Sequence, residues 1–196
     1  MHRLVRTLQK RMNDAIVAPL ALVGLLTLGC GPSWTVVRQD ASSSLFGVQS
    51  IAVDPVQIEN LRIGEKSEAE WLAKKKPEQQ LSWEADKAAL DQRFFQGIAE
   101  SLKAKNIRLL REGNYPGVPH VRAVISRIEP GFYGGIVNAP AEVDVTLQVI
   151  QGNAVSREIT YQSKGLDFSL GGRVRVAAKQ AGFIAAKYLE TQVALR

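Results

Sequence analysis

The residues of this chain with covalent or acid/base chemistry in reach are one cysteine, two histidines and a scatter of carboxylates. Cys30 stands in Leu26-Thr27-Leu28-Gly29-Cys30-Gly31-Pro32, directly behind an apolar run. A thiol there is either a small apolar side chain in an anchor or core, or a reactive group. His120 follows Pro119 at the start of an apolar-polar segment and reads as a structural or exposed side chain before it reads as a general base. Asp54, Glu129 and Asp144 have the chemistry of the paired carboxylates that glycoside hydrolysis needs. Nothing in their spacing asks for that role, and Glu142 and Asp144 alternate onto the polar side of a strand. No phosphate-binding glycine loop, G-x-S-x-G, H-E-x-x-H or S-x-x-K motif is present.

The segment before Cys30 begins with His2, Arg3, Arg6, Lys10 and Arg11 and continues into Ala15 to Leu28. A basic start followed by a short apolar run is the pattern of an export signal. Its fourteen apolar-run residues fall short of the roughly 20 that a membrane-crossing helix needs. Gly29-Cys30 at the end of the run resembles the lipobox of bacterial lipoproteins, with Thr27 standing where that family usually has an aliphatic residue. The resemblance implies cleavage of residues 1–29, diacylglycerol on the Cys30 thiol and acylation of the new amino terminus. One acyl chain holds a protein only marginally on a bilayer, whereas two or more hold it firmly. Gly31 occupies the position where an aspartate would mark retention at the inner membrane, so the implied location is the periplasmic side of the outer membrane.

Loss of residues 1–29 changes the charge balance. They carry four of the 25 basic groups and one of the 19 acidic groups, which leaves 21 and 18, a net +3. Nucleic-acid binding therefore has no support from charge. With Cys30 consumed by lipid, His120 is the remaining histidine and no thiol is left, so a multi-His or Cys metal site cannot be built and no cofactor is expected.

Residues 30–47, with Pro32 and Ser42-Ser43-Ser44, read as the lipidated start and a tether. Trp34 within it suits either a headgroup contact or a first edge strand over Trp34 to Val37. Residues 48–196 are expected to form a single α+β periplasmic domain. Val48 to Val56 alternates as a strand, and Ser67 opens a capping box with Glu70 for a helix that stops near Lys76. Leu90, Phe94, Ile98 and Leu102 recur at helical spacing, and Ile107 to Leu110 has the length of a buried strand. Val143, Val145, Leu147 and Val149 alternate with Asp144, Thr146 and Gln148 as a half-buried antiparallel strand, and Gly152-Asn153 supplies the hairpin turn. Val174 to Leu189 closes the chain with an amphipathic helix. The expected fold is a single mixed, mostly antiparallel sheet of about five strands with helices packed on one face.

The order of IAVDPV, ADKAALDQRFFQGIAESL, IRLL, VRAVISRIEPG, the alternating hairpin and the final helix resembles the periplasmic domain shared by the amino-terminal part of TolB, the curli secretion lipoprotein and lipoprotein activators of peptidoglycan synthases. Gly64 to Ser82 is an addition to that pattern. The resemblance implies a non-enzymatic interaction or assembly module in the cell envelope, with a partner protein or copies of itself. The competing reading is a membrane-tethered cell-wall hydrolase using a carboxylate pair.

Two surfaces are candidate partner contacts. Phe132 and Tyr133 lie among Gly131, Gly134 and Gly135, where the rings either point outward as an anchor or fold onto the sheet edge. Lys74, Lys75 and Lys76 beside Trp71 suit anionic headgroups or acidic glycan, or are solvated lysines at a helix end. Arg173 and Arg175 stand at the start of the last helix, where the helix dipole disfavours cations.

Overall fold

Alternation of period two over residues 141–151 and 154–165 makes these the longest strands of the protein. They form the spine on which everything else is built. The computed structural model describes residues 33–41, 44–111, 113, 115–135 and 137–194. Cys30, the export signal and the lipobox lie outside the described residues.

In chain order the strands are β1 (Thr35–Gln39), β2 (Ser50–Val53), β3 (Gln57–Ile63), β4 (Lys66–Ser67), β5 (Arg108–Arg111), β6 (His120–Glu129), β7 (Phe132–Tyr133), β8 (Asn138–Ala139), β9 (Ala141–Gln151) and β10 (Ala154–Gly165). The helices are α1 (Glu68–Leu72), α2 (Pro77–Leu102) and α3 (Leu170–Ala194). β1, β10, β9, β6, β2 and β5 lie side by side in that order, β3 pairs with β6 below β2, and β4 pairs with β3. The pairs β1–β10, β10–β9, β9–β6 and β3–β4 are antiparallel, while β2–β5, β2–β6 and β3–β6 are parallel.

The α+β class and the mixed sheet stand as expected, but the sheet has eight strands, not about five. β1 accounts for part of the difference: Thr35–Gln39 of the expected tether pairs with β10, and Trp34 packs edge-on against Tyr188 at 5.6 Å. β3 escapes the alternation rule because Asn60 adopts φ 47° and the register slips between Ile58 and Arg62. The Ile107 to Leu110 segment is an edge strand, only half-buried, and not an interior one.

Along β9, Val143, Val145, Leu147 and Val149 are buried while the intervening residues stay half-exposed. The buried side joins Leu90, Phe94, Ile98 and Leu102 of α2 and Val174, Ala177, Ala178, Ala181 and Leu189 of α3 in one core. Each large apolar side chain so buried contributes about 1.5–3 kcal/mol. The capping box at Ser67 is present: Glu70 donates its amide to the Ser67 hydroxyl at 3.3 Å and its carboxylate accepts from the Ser67 amide at 2.8 Å. The two long helices meet through glycine, since a Cβ on Gly97 would lie 3.0 Å from Gly182 Cα.

Candidate functional site: an exposed aromatic cluster at one end of the sheet

The hairpin of β6 and β9 does not stop at the sheet margin. Beyond Glu129 and Ala141 it continues as the short β7–β8 ladder, with Phe132 opposite Ala139 and Tyr133 opposite Asn138. Gly131 makes the continuation feasible, because its φ is +60° and a Cβ there would stand 2.2 Å from the Pro140 carbonyl. The turn is closed by the Gly134 amide donating to Val137 O at 3.0 Å.

Of the two fates open to the rings, the structure shows the outward one. Phe132 is 53% and Tyr133 47% exposed, and Val137 beside them 63%. The link from β10 to α3 adds Leu166 at 62% and Phe168 at 78%. Tyr133 and Phe168 meet edge to face, centroids 5.2 Å apart at 77°, a geometry that favours both rings. Val137, Leu166 and Phe168 are not singled out by the sequence, where they lie in the short glycine-flanked segments Ile136-Val137 and Leu166-Asp167-Phe168.

Arg173 holds this cluster from below. It is buried, and its guanidinium donates to Pro130 O at 3.2 Å, Asp167 O at 3.2 Å and Phe168 O at 3.4 Å. Two chain-distant loops are thereby fixed to the first turn of α3. The Asp167 carboxylate accepts from the Ser169 amide at 3.0 Å, which holds it below the usual carboxylate range. The conflict between cations and the start of α3 is thus resolved locally. Arg173 gives its protons to carbonyls, and Arg175 pairs with the buried Asp86 at 2.5 Å. A Cβ on Gly171 would fall 2.1 Å from that Asp86 carboxylate, which places it directly against the helix start that favours an anion.

The second sequence candidate lies in a separate groove. Trp71 is half-buried and packs at a tilt of 56° against the buried Trp83, centroids 5.1 Å apart, and Lys75 sits 4.3 Å over the Trp71 ring. Lys74 and Lys76 are exposed and Lys75 is half-buried. Trp71, Lys75, Glu78, Trp83, Asp86 and Arg175 line a cleft of about 380 Å³, and two of its charged groups, Asp86 and Arg175, pair with each other. Of the three lysines only Lys75 lines it, so Lys74, Lys75 and Lys76 do not converge on one point.

Each carboxylate singled out in the sequence is paired with a basic side chain. Asp54 sits at the far end of β6, hydrogen-bonded to His120 Nδ1 at 2.8 Å and ion-paired with Arg122 at 3.5 Å. Glu129 and Asp144 are joined by Arg127, 3.3 Å from each, on the open polar side of the sheet. Among the described residues no group of three His, Cys, Asp or Glu is placed to hold a metal ion. Among the same residues no helix is long and apolar enough to cross a membrane.

No protein-family model and no curated protein matches this sequence. Several solved structures are similar at low identity. The PelC dodecamer from Paraburkholderia phytofirmans shares 15% identity at TM-score 0.41, covering 76% of this chain and 97% of that one. Protein XCC0632 from Xanthomonas campestris, of the DUF330 family, shares 11% at TM-score 0.42, covering 79% and 91%. A neuraminyllactose-binding hemagglutinin homologue from Helicobacter pylori shares 10% at TM-score 0.38, covering 81% and 92%.

Proposed function

We propose that this protein is a lipid-anchored envelope lipoprotein that works by contact and not by catalysis. In this reading Cys30 carries the acyl groups, the mature chain faces the periplasm from the outer membrane, and residues 33–194 form an interaction or assembly module of the kind the TolB-like resemblance implies. The observation that carries the contact role is the exposed cluster of Phe132, Tyr133 and Phe168, fixed in place by Arg173. A buried arginine that holds aromatic rings in water makes physical sense when the rings meet something, since aromatics and preformed loops are the parts of a surface that contribute most to binding. A catalytic reading is disfavoured by the Arg127 guanidinium between Glu129 and Asp144.

A photo-crosslinking residue at Tyr133 in living cells tests the contact role. The expected result is a discrete, ultraviolet-dependent adduct from position 133 and none from Asn153 at the opposite hairpin. Equal and featureless labelling at both positions would contradict a dedicated contact surface there.

A further inference from the structure

One sheet register determines where the chain enters the domain and where the aromatic cluster leaves it. β1 runs antiparallel to β10, with Thr35 opposite Thr160 and Gln39 opposite Arg157. The amino-terminal end of β1 therefore points along β10 toward Gly165, the residue after which Leu166 and Phe168 project. Gly165 stands opposite Ala141, where β9 starts, and Glu142 stands opposite Glu129, where β6 ends. The β7–β8 ladder with Phe132 and Tyr133 therefore extends from the same end of the sheet.

The lengths agree. Cys30 precedes Thr35 by five residues, a reach of at most about 17 Å. Thr160 to Gly165 is also five residues, about 17 Å along a strand. Chain length alone therefore keeps an acyl group on Cys30 within about 17 Å, plus its own length, of Thr35. With Thr35–Gln39 paired into the sheet, little of the expected tether remains to let the domain stand off.

We propose that Phe132, Tyr133, Val137, Leu166 and Phe168 dock onto the interface of the same bilayer that holds the acylated Cys30. The inference rests on the lipid-anchored reading above and names the partner of that surface. Five exposed apolar side chains at one end of the sheet suit the acyl-headgroup boundary, with the Tyr133 phenol at headgroup level. Lys164, exposed beside Gly165 and paired with Glu142 at 2.6 Å, supplies an ammonium at the same end. The one carboxylate inside the cluster, Asp167, is turned back onto Ser169. A bilayer has the advantage over any freely diffusing partner that the tether keeps it at a high effective concentration. The anchor and the aromatic cluster then fix the domain on the membrane at two points, with the Gly152-Asn153 hairpin pointing into the periplasm.

The test uses the full acylated protein reconstituted into phosphatidylethanolamine–phosphatidylglycerol vesicles. Acylation consumes Cys30, so a nitroxide reacts only with a new thiol in Phe168→Cys, Leu166→Cys or Asn153→Cys. The expected result is that the labels at 166 and 168 collide with oxygen and lose access to a water-soluble nickel chelate severalfold on transfer from detergent to vesicles, while the label at 153 is unchanged. Two cluster positions are used so that a folding defect in one variant does not decide the outcome. Nickel access at 166 and 168 equal to that at 153, on protein that floats with the vesicles and has an acylated mass, overturns the inference and leaves the anchor standing. Protein that does not float and has an unmodified Cys30 overturns the anchored reading and the inference together. Protection at 166 and 168 that appears with envelope proteins but not with vesicles alone overturns it in favour of a protein partner.

Discussion

The Arg173 guanidinium donates a hydrogen bond to the Pro130 carbonyl across 43 residues of sequence, and the same side chain reaches Asp167 O and Phe168 O. The aromatic cluster is therefore held by a buried cation as well as by the edge-to-face packing of Tyr133 and Phe168. Arg173→Ala should leave three carbonyls without a donor and cost about 2–3 kcal/mol, lowering Tm by about 5–10 °C. Limited proteolysis should then cut between residues 130 and 140. A variant with unchanged Tm and an uncut loop would show that Arg173 is dispensable.

Removing the rings should do the reverse. Because Phe132 and Tyr133 are about half exposed and end in solvent, Phe132→Ala combined with Tyr133→Ala should keep stability within about 1 kcal/mol of the parent. Vesicle or partner contact through this end of the sheet should fall. Denaturant unfolding reads the first and binding the second, and a loss of several kcal/mol would place the rings in the core.

Gly182 is a tight point between α2 and α3. A Cβ there would lie 2.1 Å from Phe94 O and 2.9 Å from Ile98 N, both backbone atoms that cannot swing aside. Gly182→Ala should cost about 3 kcal/mol through forced separation of the helices. Circular dichroism melts check this, and a melt within a degree or two of the parent would show that the helices separate freely.

The long periodic elements are legible in the sequence because burial enforces their period. Leu90, Phe94, Ile98 and Leu102 are all buried, as are Val143, Val145, Leu147 and Val149. The capping box is legible too, since Ser67 and Glu70 act locally. What stays hidden depends on register slips or on pairing between distant segments. Asn60 breaks the alternation of β3, and a bulge between Val155 and Arg157 accompanies a buried Arg157 that bonds Gln192 at 2.5 Å. β1, the edge-strand alternative for Trp34 to Val37, has five exposed residues, so its pairing with β10 decides what the sequence left open. Of the candidate site, Phe132 and Tyr133 are visible through their flanking glycines. Phe168 is not, because nothing local relates Leu166-Asp167-Phe168 to a loop some 35 residues earlier.

Acid should weaken the fold at identifiable points. Glu70 is held below its ordinary 4.5 by the Ser67 hydroxyl and amide, Glu100 by Lys179, and Asp167 below its ordinary 3.8 by the Ser169 amide. For a depressed pKa the stabilisation is complete above the ordinary value and is lost as pH falls through the folded one. Stability should thus be level above about pH 5 and decline below about pH 4. Glu70→Gln should make the decline shallower in melts recorded across that range, and an identical slope in parent and variant would contradict this assignment.

The anchor is the claim on which the functional reading depends, and intact mass spectrometry of the protein extracted from membranes tests it most directly. The expected chain begins at Cys30 and carries acyl groups there, and a Cys30→Ser variant either appears unacylated in the soluble periplasmic fraction or persists as an uncleaved precursor. A membrane-bound protein of unmodified mass with a free Cys30 thiol, or a Cys30→Ser variant with unchanged mass and attachment, would contradict it.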